Sequence, residues 1–295
     1  MKILICSDGM PAAENAMRLG AAFAAPLKAD VIVLGVAEIP EDESTLQQAL
    51  EKQASSVRDG NVSPKIEMCS GDPVRRIADE TTKEKYDLVI VGARKTGATG
   101  PHWRSEKMYE LIKAISPPVL VAIGEWAQLK RFLVCTGGKA FIEEAVQLTG
   151  KLASAVGASV TLLHVMAEPP AMYADLVRLE EDVERLLGSK SELGINLSGQ
   201  KADLEKLGVS AEVRIRHGIV IDQVFAEARE RNYDLIVTGS SQARGMLRHY
   251  IMGDLTRGIL NHASCPVLVA RAGAVAGPRG IWRSIRRAFA TKPAT

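Results

Sequence analysis

Tyr86-Asp87-Leu88-Val89-Ile90-Val91-Gly92 and Tyr233-Asp234-Leu235-Ile236-Val237-Thr238-Gly239 are one pattern written twice, 147 positions apart. Each places a run of aliphatic residues between a Tyr-Asp turn and a glycine. Strands that are apolar on both faces suit a parallel sheet covered by helices on both sides. Working back toward the amino terminus, Ile3-Leu4-Ile5-Cys6-Ser7 is answered by Phe132-Leu133-Val134-Cys135-Thr136, and Val31–Val36 by Val160–Val165, both at an offset of 129. Further on, Cys69-Ser70-Gly71 is answered by Arg216-His217-Gly218 at 147, and Pro118-Val119-Leu120-Val121-Ala122 by Pro266-Val267-Leu268-Val269-Ala270 at 148. Two plateaus of offset, separated by 18 residues after the second strand, are what a duplicated domain with one insertion leaves.

In the first half, strands are expected at 2–7, 30–37, 65–69, 87–91 and 119–123. Helices are expected between them at about 11–24, 41–57, 74–84 and 105–115. The second half repeats the order, with the insertion lengthening its second helix to about 170–206. This is an α/β chain of two five-stranded, doubly wound parallel units, 1–123 and 130–271, with a linker at 124–130. The last strand of each unit would lie at a sheet edge, and the simplest cover for a flat aliphatic edge is the other repeat. The chain is therefore expected to carry a dimer internally, with a homo-oligomer as a further level.

Composition narrows the function. Among 295 residues, 37 are basic and 35 acidic, a net charge of +2, with aromatics at 4%. There is no basic surplus for phosphate neutralisation and no supply of rings for base stacking, so nucleic acid is not an expected partner. Cys6, Cys69, Cys135 and Cys265 form no CxxC pair, and the five histidines show no ligand spacing. Metal and redox centres are not expected, and Cys6 and Cys135 read as buried small hydrophobes. The opening apolar run is too short for a signal peptide and no stretch of ~18 apolar residues occurs, so a reduced, cytoplasmic protein is expected. No nucleophile elbow or acid–base pair can be placed.

In open parallel sheets, ligands bind beyond the carboxyl ends of the strands where the order reverses. The loops there contain Ser7-Asp8-Gly9 and Gly92-Ala93-Arg94-Lys95 in the first half. The second half offers Thr136-Gly137-Gly138 and the run from Gly239 through Ser241 to Gly245, with Gly253 beyond. Glycine and hydroxyl residues entering a helix can cradle an anion.

The Asp8-Gly9 turn, the repeated Tyr-Asp-Leu-x-x-x-Gly and the Cys265-Pro266-Val267-Leu268-Val269 strand resemble the universal stress protein family in its tandem form. The resemblance implies an adenine-nucleotide alpha hydrolase-like fold with strand order 3-2-1-4-5. It also implies a division between ATP binders and non-binders. Binders use an acid after strand one, a valine ending strand two, and a Gly-x2-Gly-x9-Gly-Ser/Thr loop. By this resemblance the nucleotide residues would be Asp8, Val36, Gly92, Arg94 and Lys95 in the first half. In the second they would be Val165, Gly239, Ser241, Gly245 and Gly253, with ATP or another adenine nucleotide as ligand.

The pattern is incomplete in both halves. Lys95 and Gln242 stand where the second loop glycine belongs, Gly137 replaces the acid, and Glu106 and Asp254 put carboxylates where a hydroxyl belongs. A carboxylate in a first helical turn satisfies the dipole and repels a triphosphate. The expected function is a stress-response binding or regulatory protein without turnover. One alternative is an ATP-binding protein with slow hydrolysis through Asp8 and the 239–253 loop. Another is an adenine-nucleotide-dependent enzyme on the same scaffold. After a Gly/Ala/Pro linker, Ile281, Trp282, Ile285 and Phe289 share one face of a basic amphipathic segment, a pattern for a membrane surface or a protein partner.

Overall fold

The computed structural model describes residues 1–58, 62–93, 103–124, 126–137, 143–168, 183–242, 250–251 and 253–271. The first repeat runs β1 (Lys2–Ser7), α1 (Pro11–Leu27), β2 (Asp30–Ala37), α2 (Glu43–Arg58), β3 (Lys65–Ser70), α3 (Pro73–Lys83), β4 (Leu88–Gly92), α4 (Trp103–Ala114) and β5 (Val119–Ala122). The second runs β6 (Arg131–Cys135), α5 (Glu143–Val156), β7 (Ser159–Met166), α6 (Val183–Leu187), α7 (Glu192–Lys206), β8 (Ala211–His217), α8 (Val220–Arg231), β9 (Leu235–Gln242), β10 (Tyr250–Ile251), α9 (Asp254–His262) and β11 (Val267–Arg271).

The main strand path is β3-β2-β1-β4-β5-β11-β9-β6-β7-β8, so each repeat has its strands in the order 3-2-1-4-5. All pairings within each repeat's main path are parallel. The junction alone on that path is antiparallel: Val267 pairs with Val121, Leu268 with Leu120 and Val269 with Val119. All six side chains are at most 1% exposed. The two edges expected to be a liability thus become the middle of one eleven-stranded sheet, in which β10 pairs with β9 off the main path. Burying each of these aliphatic side chains between the sheet and its helical layers favours the folded state by about 1.5–3 kcal/mol.

Strand alternation sorts the core into two layers. Ile3, Ile5, Phe132 and Val134 face the layer of α1, α2, α5 and α7, where Phe23 meets Phe132 edge-on across the repeats at 6.4 Å. Leu4, Cys6, Leu133 and Cys135 face the layer of α3, α4, α8 and α9. Burial pushes the Cys6 thiol well above its usual range, and the Cys135 and Cys265 thiols up to about 12. Cys6 and Cys135, both buried, are therefore expected to resist iodoacetamide in the folded chain at pH 8, with half-buried Cys69 alkylated first and half-buried Cys265, its thiol pushed up to about 12, after it. Peptide mapping by mass spectrometry before and after unfolding checks this order.

Two expectations need correction. The long second helix of repeat two is not continuous: α6 ends at Leu187, and α7 starts at Glu192 behind Ser191, whose hydroxyl accepts from the Gly194 amide at 3.0 Å. Gly188 and the cap at Ser191 break the helical run, while 169–182 lie outside the described residues. Ser241 belongs to β9 rather than to the loop beyond it, because antiparallel pairing of Ser241 with Ile251 and of Gln242 with Tyr250 extends the strand. The basic tail with Ile281, Trp282, Ile285 and Phe289 lies outside the described residues. Among those described, no helix is long and apolar enough to cross a membrane.

Candidate functional site

The strand order reverses between β1 and β4 in repeat one and between β6 and β9 in repeat two. At the first of these points β1 ends on Ser7, and the chain turns through exposed Asp8 and Gly9 into α1. Gly9 has φ +73, a conformation that favours glycine, and a Cβ there would lie 2.8 Å from the tip of the Leu46 side chain of α2. The Asp8 carboxylate accepts from the Met10 amide at 3.0 Å, a local turn that presents it at the mouth of the crevice.

The floor of this crevice is tied down by a residue that no motif announced. Gln53, on α2, accepts from the Ser7 hydroxyl at 2.9 Å and donates to the Gly9 and Met10 carbonyls at 3.1 and 3.3 Å. In repeat two, Gln200 of α7 accepts from the buried Thr136 hydroxyl at 3.1 Å. Gln53 and Gln200 are 147 positions apart, the same offset as β3 and β8, the strands that follow them. That spacing was the available signal. His164 Nδ1 lies 3.0 Å from the Thr136 carbonyl and so must carry a proton to donate there. Strand ends six to seven residues into each repeat are thereby satisfied from within the protein.

The other expected residues fall as follows. Val36 is buried in the α3/α4 layer and offers little surface to a ligand, whereas Val165 is half-buried. Gly92 ends β4 while Gly239 lies within β9, and Gly137 is exposed with nothing within 4 Å of a Cβ there among the described residues. The Thr256 hydroxyl contacts the Gly239 carbonyl at 2.9 Å and the Thr238 hydroxyl at 3.0 Å. This draws Gly239 and the start of α9, capped by exposed Gly253, to one mouth. Asp254 occupies the first turn there, as its sequence position implied. Arg94, Lys95 and Gly245 lie outside the described residues, so the two loops that would complete the crevices are not placed. Asp72 proves to be the N-cap of α3, accepting from the Arg75 amide at 2.9 Å. Among the described residues no group of three or more His, Cys, Asp or Glu side chains could hold a metal ion.

The sequence model of the universal stress protein family matches residues 1–121 and 128–271. The chain belongs to that family. Universal stress protein Slr1230 of Synechocystis is 20% identical over 304 residues, covering 91% of this chain and 99% of that protein. Universal stress protein YxiE of Bacillus subtilis is 25% identical over 146 residues, 98% of its length but 48% of this chain. A relative matched almost whole by half of this chain is what a tandem member predicts. A universal stress protein structure from Archaeoglobus fulgidus shares the fold with a TM-score of 0.69 at 17% identity, over 92% of this chain and 98% of that one.

Proposed function

We propose that this universal stress protein acts by binding and regulation, without turnover, through two units at 1–123 and 130–271 whose nucleotide crevices have been reworked. The observation that carries this reading is the glutamine tie at the floor of each crevice. Gln53 and Gln200 occupy the hydroxyls that end the first strands, and Gln53 also occupies the two carbonyls beyond. Gly137 deprives repeat two of the carboxylate that a ribose would need, and Asp254 sets a negative charge at the helix start where phosphates would lie. In this reading the chain responds to stress through a protein or membrane partner, with the basic tail as the contact.

The second reading, ATP binding with slow hydrolysis, is favoured by the exposed Asp8 carboxylate and the open ground around Gly239 and Gly253. Thermal denaturation with and without Mg-ATP separates the two. A ligand at 100 times its Kd raises stability by about 2.7 kcal/mol, several degrees for a protein of this size. The expected result is no shift at millimolar Mg-ATP and no nucleotide in the mass spectrum of the purified protein. A saturable shift, or bound nucleotide, overturns the first reading in favour of the second.

A further inference from the structure

The end of repeat two opposite its crevice, at the amino ends of β6, β7 and β8, holds a cleft of about 270 Å³. It is lined by Arg131, Ser159, Ser210, Glu212, Arg231 and Tyr233, among others. Nothing in the resemblance or in the two crevices draws on these residues.

Comparison with the same place in repeat one shows what changed. There Lys2, Asp30, Lys65 and Glu84 occupy the corresponding positions, two positive and two negative charges. Lys2 pairs with Glu84 and lies over the Tyr86 ring, and Lys65 pairs with Glu67 at 2.7 Å. In repeat two the four positions hold Arg131, Ser159, Glu212 and Arg231. The carboxylate that held Lys2 has become a guanidinium, the lysine at the third position has become Glu212, and the aspartate has become a serine.

Arg231 finds Glu212 at 3.0 Å, and the Thr161 hydroxyl donates to the same carboxylate at 2.9 Å. The nearby Asp234 carboxylate accepts from the Lys130 and Arg131 amides, at 2.8 and 2.9 Å. Among the described residues no carboxylate is paired with the Arg131 side chain. A balanced set of charges has thus become one with a surplus positive charge, beside serine hydroxyls and an open space.

We propose that this cleft binds a small hydroxylated oxyanion, with the chemistry of a sugar phosphate. Its charged oxygens meet the Arg131 and Arg231 guanidinium groups, whose fork geometry suits phosphate. The Ser210 hydroxyl serves as a further donor, and Glu212 accepts from a ligand hydroxyl. Phosphate alone satisfies the first part of this set and glucose alone only the last.

The test is titration calorimetry of the full chain at low ionic strength with glucose 6-phosphate, inorganic phosphate and glucose as probes. Glucose 6-phosphate is expected to bind saturably, phosphate at least about tenfold more weakly, and glucose not at all. Arg131→Glu recreates across Arg131 and Arg231 the opposite-charge pair that Lys2 and Glu84 make in repeat one. It is expected to weaken glucose 6-phosphate at least about tenfold while leaving the thermal midpoint equal to or above that of the native chain. The midpoint shows that the variant is folded, so loss of binding reports the site. No saturable binding of glucose 6-phosphate up to about 10 mM overturns the proposal, and so does unchanged binding by Arg131→Glu. Phosphate binding as tightly as glucose 6-phosphate overturns the assignment of ligand hydroxyls to Glu212.

Discussion

Replacing Glu227 by alanine is expected to destabilise the second repeat by about 3 kcal/mol, read as a lower urea midpoint at unchanged slope. Glu227 is fully buried on α8 under β8. Its carboxylate meets Arg214 Nε at 2.8 Å and Arg216 Nη1 at 2.9 Å, accepts from the Tyr233 hydroxyl at 3.1 Å, and has Arg231 Nε at 3.9 Å. Removing one partner of a buried ion pair costs about 3–5 kcal/mol, because the opposite charge is left without compensation. The low end applies, since Arg216 keeps two other partners. Glu230 accepts from its two terminal nitrogens at 2.8 and 3.1 Å, and Gln223 accepts from Nε at 2.8 Å. Arg214 is about a third exposed, but the Nε that meets Glu227 is itself buried and makes no hydrogen bond among the described residues.

The equivalent change in repeat one supplies an internal control. Glu80 is buried and accepts from Tyr86 at 2.7 Å, but Glu67 and Cys69 stand where repeat two has its arginines. The nearest cation in its ion pairing is Lys83 at 4.0 Å. Glu80→Ala should therefore cost about 1–2 kcal/mol, the scale of an abandoned hydrogen bond to a buried phenol. Equal losses for the two variants would show that the arginines contribute nothing to holding Glu227.

This asymmetry marks where the sequence was legible and where it was not. The strands could be read because aliphatic runs apolar on both faces have few alternatives, and the two plateaus of offset showed that they recur in the same succession in both halves, while their order in the sheet came from the family resemblance. The junction could be read because Val119–Ala122 and Val267–Ala270 are as apolar as central strands yet end their repeats. The crevice was half legible: Asp8 follows β1, Gly92 ends β4 and Gly253 caps α9 where expected, whereas Gly239 lies inside β9. Its floor was not, because Gln53 and Gln200 sit on helices read only for their apolar periodicity. A glutamine on a helix announces nothing until the hydroxyl it faces is known. The break between α6 and α7 escaped for a similar reason, since Ser191 is a cap only in the conformation it helps create. Arg216 was aligned with Cys69 as part of a repeat signature, which hid the fact that the two differ in charge.

Arg271→Leu is expected to cost about 3–4 kcal/mol and to loosen the joint between the repeats. Arg271 ends β11 and is only 6% exposed. Its Nε donates to the Ser116 and Pro117 carbonyls at 3.2 and 3.0 Å, and its Nη2 to those of Ile112 and Ile115, both at 2.7 Å. All four belong to the end of α4 and the turn after it, in the other repeat. The last carbonyls of a helix lack partners within it and carry the negative end of its dipole, so a guanidinium there meets both needs. Hydrogen bonds to a charged group contribute about 1.5–3 kcal/mol each when made singly, but here one cation shares four acceptors and the contributions do not add. Leucine keeps the apolar stem while leaving the carbonyls buried without a donor, so the loss is not one of packing. The corresponding position in repeat one is Ile123, so the lock is made once rather than twice. Lysine can reach with one charged group but cannot fork across the turn, and Arg271→Lys should recover about half the loss. Hydrogen exchange separates a joint from a general defect: amides of α4 and of the β5–β11 pair should lose protection before those of β1–β3. Uniform loss across both repeats would show that Arg271 stabilises the fold without joining its halves.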